Sequence, residues 1–152
     1  MPRTKHVAVV TSRLKRLLSP DEPWIRGLRA TLRRIASEGQ FLIVGDRTAG
    51  SDLIRRAAFR CGIDCAVVSP PTDIPQLDDA PPSRDWVIVD SADTLFVLGL
   101  RTGGNLHRLL RERKAKSDAN LILIDIDDLQ ADLPRRELID LGASIWQPKP
   151  HV

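Results

Sequence analysis

The chain alternates short apolar runs with longer segments in which apolar residues recur at helical spacing. The run Val7-Ala8-Val9-Val10 is typical of a buried strand, whereas Trp24, Leu28 and Leu32 recur every four residues, as on one face of a helix. The pattern predicts strands at residues 6–11, 41–44, 65–68, 94–98, 121–124 and 144–146, a further apolar segment at 86–89, and helices at 23–38, 52–61, 105–116 and 135–141.

The order of these elements predicts the fold class. Strands that alternate with helices favour parallel pairing, because each helix carries the chain back to the start of the next strand. We therefore expect an α/β, Rossmann-like, three-layer α/β/α fold with a mostly parallel sheet. Residues 69–84 contain five prolines and few apolar groups, so they are predicted to form an irregular excursion. No composition shift marks a boundary, so residues 1–152 are expected to form a single ligand-binding domain.

Three loops that follow strands contain residues suited to phosphate binding. In open parallel sheets, ligands bind outside the carboxyl ends of the strands, where helix N-termini present free N–H groups. Glycines in the loops after residues 44 and 98 let the backbone approach a ligand closely. The candidate ligand-binding residues are Thr11, Ser12 and Arg13 after the first strand, Gly45, Asp46, Arg47, Gly50, Ser51 and Asp52 after the second, and Arg101, Thr102, Gly103, Gly104 and Asn105 after the fourth.

These loops predict a bound nucleotide or another phosphorylated small molecule. Neither of the two glycine loops, after residues 44 and 98, has the G-x-x-x-x-G-K-[ST] or the G-x-G-x-x-G pattern, which disfavours ATP hydrolysis and ordinary NAD binding. No serine has an informatively placed histidine, so no catalytic residue is predicted. Ser51 or Asp52 fits equally well as a helix N-cap. The cluster Asp125, Asp127 and Asp128 is typical of a solvated turn, with a magnesium site as the alternative.

The same loops resemble those of a known superfamily. A strand followed by T-S-R, a second strand ending in G-D-R-T-A-G-S-D, and the later run A-D-x-L-F-V-L-G-L-R-T-G-G-N are similar to the SLOG superfamily, which includes the DprA and LOG families. The likeness covers residues 6–125. It implies a Rossmann-like fold that binds nucleotides or related ligands. We expect no cofactor other than a nucleotide bound as the ligand.

The chain departs from the superfamily's motifs at two positions. The second-strand loop commonly reads G-G-x-x-G-x-D, and Asp46 stands where the second glycine would be. The LOG motif G-G-x-G-T-x-x-E ends in a catalytic glutamate, whose place is taken by Leu110. The resemblance therefore implies ligand binding more than enzymatic activity. The alternatives are a LOG-type nucleotide phosphoribohydrolase and DprA-like binding of single-stranded nucleic acid.

Charge and composition set the remaining expectations. Hydrophobic residues make up 42% and charged residues 28%, which is typical of an ordinary folded protein. The apolar runs are far shorter than the roughly 20 residues that span a bilayer, and the N-terminus shows no apolar stretch long enough for a signal peptide, so we expect a cytoplasmic protein without a membrane segment. Residues 1–60 carry thirteen basic and five acidic residues, which suits phosphate or nucleic acid and equally suits the solvated faces of helices. Six Phe or Trp residues form a poor base-stacking platform. Cys61 and Cys65 are expected to be unbridged, at a helix end and a strand start. We also expect a homo-oligomer.

Overall fold

The computed structural model describes residues 5–11, 23–45, 51–68, 84–98, 105–114, 120–124 and 135–148. These residues alternate between strands and helices along the chain, as predicted. The strands are β1 (His6–Val10), β2 (Phe41–Gly45), β3 (Cys65–Val68), β4 (Thr94–Val97), β5 (Asn120–Ile124) and β6 (Ser144–Trp146). The helices are α1 (Pro23–Ser37), α2 (Ser51–Arg60), α3 (Arg84–Ser91), α4 (Asn105–Lys114) and α5 (Arg135–Asp140).

The six strands form one parallel sheet in the order β3-β2-β1-β4-β5-β6. Every adjacent pair is parallel, including β1 with β2 and β1 with β4. The chain thus builds the sheet outward from β1 to β3, then returns to the other side of β1 and continues from β4 to β6. The predicted Rossmann-like fold with a parallel sheet is confirmed.

Helices cover both faces of the sheet, which produces two apolar clusters. One cluster contains residues of α3, α4 and α5, among them Val89, Leu110 and Leu138. The other contains residues of α1 and α2, among them Leu32 and Ile54. The strands contribute side chains to both clusters because successive residues point to opposite faces. The predicted three layers are therefore present, with β1 and β4 in the middle of the sheet.

Three helices end on a glycine with a left-handed backbone. Gly39, Gly62 and Gly142 have φ of 62°, 72° and 93°, a conformation that side chains with a Cβ rarely adopt. After α1, Gly39 N donates to Ala36 O and Gln40 N donates to Ile35 O, each at 3.1 Å. The same pattern follows α2 and α5, and it satisfies carbonyls that a helix end leaves free. These glycines confirm the predicted ends of α1 and α5.

Several element predictions need adjustment. The apolar segment 86–89 lies inside α3, which is a short helix packed on the sheet. The excursion predicted for residues 69–84 lies outside the described residues, except that Arg84 begins α3. Cys61 follows α2 and Cys65 begins β3, both as free thiols. Within the described part of the chain, no helix is long and apolar enough to cross a membrane.

Candidate ligand site at the carboxyl edge of the sheet

The strand order creates a switch point between β1 and β4. The chain leaves β1 towards β2, and it leaves β4 in the opposite direction towards β5. Connections that diverge in this way leave a crevice at the carboxyl ends of the two central strands, where ligands of open α/β sheets bind. β1 and β4 stay paired up to this edge, with Val10 opposite Val97 and Leu98 N donating to Val10 O at 2.9 Å.

The structure brings the ends of the three predicted strands to this one edge. β2 and β4 lie on either side of β1, and all three run in the same direction. Ala8 is opposite Ile43, and both strands continue for two more residues, to Val10 and Gly45. Residues 6–10, 41–45 and 94–97 therefore lie next to one another with their carboxyl ends together.

Thr11, the first candidate residue, is buried at the end of β1. Its Oγ1 accepts a hydrogen bond from Nε1 of Trp24 at 2.9 Å, and both side chains are nearly inaccessible to solvent. Trp24 is the second residue of α1, so this bond holds the beginning of α1 against the end of β1. Pro23 suits the first helical position, because its missing N–H has no partner there in any helix. One lone pair of the Thr11 hydroxyl is therefore committed to Trp24.

Gly45 ends β2 as a buried residue, and α2 begins at Ser51. Asp52 is exposed in the first turn of α2, where a carboxylate interacts favourably with the positive end of the helix dipole. As the second residue of α2, Asp52 interacts with the helix dipole and does not occupy the N-cap position, which precedes the helix. The N-terminus of α2 follows the carboxyl end of β2, as the loop pattern predicts.

Asn105 is the first residue of α4, which follows β4 and begins beyond the second glycine loop. Five residues further on, Leu110 is only 2% exposed and belongs to the apolar cluster under α3, α4 and α5. The position at which LOG proteins carry a glutamate is therefore part of the apolar core in this chain. Leu109 beside it is also buried.

The remaining candidate residues lie outside the described part of the chain. They are Ser12, Arg13, Asp46, Arg47, Gly50, Arg101, Thr102, Gly103 and Gly104. The carboxylate cluster at 125, 127 and 128 also lies outside it. In the described ranges, no group of three or more His, Cys, Asp or Glu side chains is placed to hold a metal.

Trp24 is the residue at this edge that the sequence pattern did not single out. Its place in the apolar periodicity of α1 predicts a core residue, and the structure confirms that it is buried. The bond between its indole N–H and Thr11 has no signature in the sequence, because the two residues are thirteen positions apart. A buried tryptophan next to the end of a strand is the one available signal, since its N–H needs an acceptor.

Comparison with known proteins identifies the fold but no close relative. No family model matches the sequence, and no curated protein sequence matches it. Among solved structures, the molybdenum cofactor carrier protein of Chlamydomonas reinhardtii is 19% identical with a TM-score of 0.64, over 94% of this chain and 89% of that one.

Two further structures extend the likeness. DNA processing protein A (DprA) of Streptococcus pneumoniae is 15% identical with a TM-score of 0.67, over 94% of this chain and 58% of that one. The protein TM1055 is 17% identical with a TM-score of 0.58, over 95% of this chain and 92% of that one. All three are SLOG-type folds. The chain therefore shares the fold of these three proteins, in agreement with the Rossmann-like fold that the loop resemblance implies.

Proposed function

We propose that this chain binds a nucleotide or a related phosphorylated small molecule in the crevice between β1 and β4. The observation that carries the proposal is the switch point, because it places the ends of β1, β2 and β4 and the beginnings of α2 and α4 at one edge. Helix N-termini at such an edge favour anions. The likeness to a molybdenum cofactor carrier and to a DNA processing protein supports a ligand-binding role.

In this proposal the two glycine loops surround the phosphate and the arginines neutralise it. The backbone can approach the ligand closely at Gly45, Gly50, Gly103 and Gly104. The first helical amides come from Ser51 and Asn105. Charged partners are Arg13, Arg47 and Arg101, with further polar contacts from Ser12, Asp46 and Thr102. Thr11 acts mainly by fixing the start of α1, since its hydroxyl already accepts from Trp24.

Binding without hydrolysis is favoured by Leu110. Hydrolysis of an N-glycosidic bond in the LOG manner needs a carboxylate at this position, whereas Leu110 is buried in an apolar cluster. Placing an ionised side chain there would cost several kcal/mol of stability unless it were paired. We therefore propose a carrier or sensor of the ligand.

The experiment is a thermal-shift screen of the full chain against nucleoside mono-, di- and triphosphates. A ligand at about 100 times its Kd adds about 2.7 kcal/mol, which raises the Tm of a chain of this size by about 5–10 °C. Gly104→Val should abolish this shift because its side chain blocks the loop. The matched control is Gly39→Val, at the amino edge after α1, which lowers the starting Tm but retains the shift.

Two results would contradict the proposal. An unchanged ligand shift in Gly104→Val would show that the second loop takes no part in binding. Release of ribose 5-phosphate from a nucleoside monophosphate in the same samples would show that the chain is a hydrolase, with catalytic groups elsewhere. Arg101→Ala should weaken phosphorylated ligands and leave nucleosides unaffected, whereas the control Arg111→Ala, in α4, should change neither.

A further inference from the structure

The outward face of α1 carries a row of arginines. Arg26, Arg29 and Arg33 are all exposed and are spaced by three and four residues, so they lie along one side of the helix. Arg34 is separate from this row. Its guanidinium lies 5.4 Å from the ring centre of Phe96 and 4.9 Å from that of Trp146, and its Nε is 3.4 Å from Oε1 of Glu38. Arg34 therefore serves packing, whereas the outward row has no acidic residue on its helix.

The outward face of α2 is also basic, and an aromatic side chain stands in its middle. Arg55, Arg56 and Arg60 are exposed, and Phe59 between them is 85% exposed. Arg55 and Arg56 precede Phe59 by one helical turn, so their side chains are its neighbours. Asp52 is the single acidic residue of α2. A phenylalanine this accessible forgoes most of the stabilisation that burial of its side chain would provide.

Both helices lie on the same side of the sheet, because their buried residues belong to the same apolar cluster. The outward faces of α1 and α2 therefore form one surface, here called the arginine surface, with arginines at positions 26, 29, 33, 55, 56 and 60. Leu53 of α2 is 40% exposed, and Val67 of the edge strand β3 is 43% exposed. Val67 points to the same side as Cys65, two residues earlier, which packs against this cluster.

We propose that the arginine surface binds an acidic surface of another protein, with Phe59 as its apolar anchor. Interfaces between proteins are enriched in arginine and in aromatic residues, and a few such anchors carry most of the binding energy. Aspartate and glutamate on the partner complement the six arginines. The rest of the chain is net acidic, since the whole carries only +3, so the charge is concentrated on this face.

Other occupants fit the surface less well. A second copy related by a twofold axis would place arginines against arginines, which is unfavourable. Single-stranded nucleic acid would use aromatic faces for base stacking, whereas two of the three exposed apolar side chains here, Leu53 and Val67, are aliphatic. The surface lies on the outside of the helices, so this inference is independent of the crevice between β1 and β4.

The test measures anisotropy of a fluorescent helical peptide with glutamate on one face and leucine on the other. A scrambled peptide of the same composition reports attraction by charge alone, and an oligothymidylate of similar length reports binding of nucleic acid. Titrations with the full chain are run at about 0.1 M and about 1 M salt, where charges are screened beyond about 10 Å and about 3 Å.

We expect the ordered peptide to bind more tightly than the scrambled one. Phe59→Ala should weaken it at least about 10-fold at both salt concentrations, as at interface anchors. The double variant Arg29→Gln/Arg33→Gln should weaken it mainly at low salt. The matched double variant Arg111→Gln/Arg136→Gln removes two exposed charges from the opposite helix layer and should have no effect.

Three results would overturn the proposal. The first is equal binding of the ordered and scrambled peptides. The second is an affinity for the ordered peptide that Phe59→Ala leaves unchanged, and the third is binding of the oligothymidylate that is tighter than that of the ordered peptide and depends on Phe59. If the ordered peptide does not bind at all, the proposal is also overturned. Because Phe59 is exposed, its variant should keep the wild-type circular dichroism and Tm, so weaker binding cannot be ascribed to unfolding.

Discussion

Replacement of Thr11 by valine tests whether the bond to Trp24 holds α1 in place. The change keeps the shape of the side chain and removes the oxygen that accepts from Trp24 Nε1 at 2.9 Å. The indole N–H would then be buried without this acceptor, because Trp24 is only 4% exposed. Leaving a buried donor unsatisfied costs about 1–3 kcal/mol, so Thr11→Val should lower the Tm by about 2–12 °C.

The measurement is urea unfolding followed by tryptophan fluorescence, with Thr11→Ser as the matched control. Serine keeps the hydroxyl and loses one methyl group, so it should cost about 1 kcal/mol or less. A double-mutant cycle isolates the bond itself. In the Trp24→Phe background no N–H remains to be satisfied, so adding Thr11→Val should cost less than it does in the wild-type chain.

Additive costs would refute this reasoning. If Thr11→Val destabilises the chain equally with and without the Trp24 N–H, then the bond contributes nothing beyond the packing of each residue. Equal costs for valine and serine at position 11 would lead to the same conclusion. The beginning of α1 would then be fixed by its apolar contacts alone, through residues such as Leu28.

Two further predictions follow from the helix ends and the thiols. Gly62 has φ of 72° and open space around the position of a Cβ. In urea titrations, Gly62→Ala should therefore cost about 1–2 kcal/mol of unfolding free energy through backbone strain alone, and Gly62→Asn should cost less. Burial raises the pKa of the Cys65 thiol above its ordinary value of 9.0, although the positive charge of Arg55 acts in the opposite direction. In a titration with a disulfide reagent at pH 8, the exposed Cys61 should therefore react before Cys65. Arg55→Gln should slow Cys65 further, because it removes the charge that lowers this pKa, and a faster Cys65 would contradict the assignment.

The sheet was predictable because its strands are short apolar runs bounded by glycine and polar loops. Residues 41–44 illustrate this, since they are followed directly by Gly45 and the polar loop, and the observed β2 differs by one residue. Residues 86–89 show the limit. A short apolar run buried on one side has the same composition in a strand and in a helix of two turns, and only packing on the sheet decides that it belongs to α3.

The candidate site was predictable as an edge of the sheet and less so as a set of contacts. Glycine loops after β2 and β4 are visible in the sequence, but that both flank β1 depends on the strand order. That order is set by long-range pairing, for example Val10 opposite Val97. The bond between Thr11 and Trp24 likewise depends on how α1 approaches the strand end.

Leu110 connects the fold to the choice between binding and hydrolysis. Leu110, six positions into α4, is buried in the same apolar cluster as the sheet residues Val97 and Leu123, which are inaccessible to solvent. A glutamate at this place would have to leave that cluster to reach a ligand beyond the end of β4. In this chain the position stabilises the packing of α4 on the sheet, while the start of the same helix remains at the carboxyl edge. Under the function proposed above, the start of α4 would face the ligand while Leu110 keeps the same helix packed on the sheet, so that binding would require no carboxylate at this position.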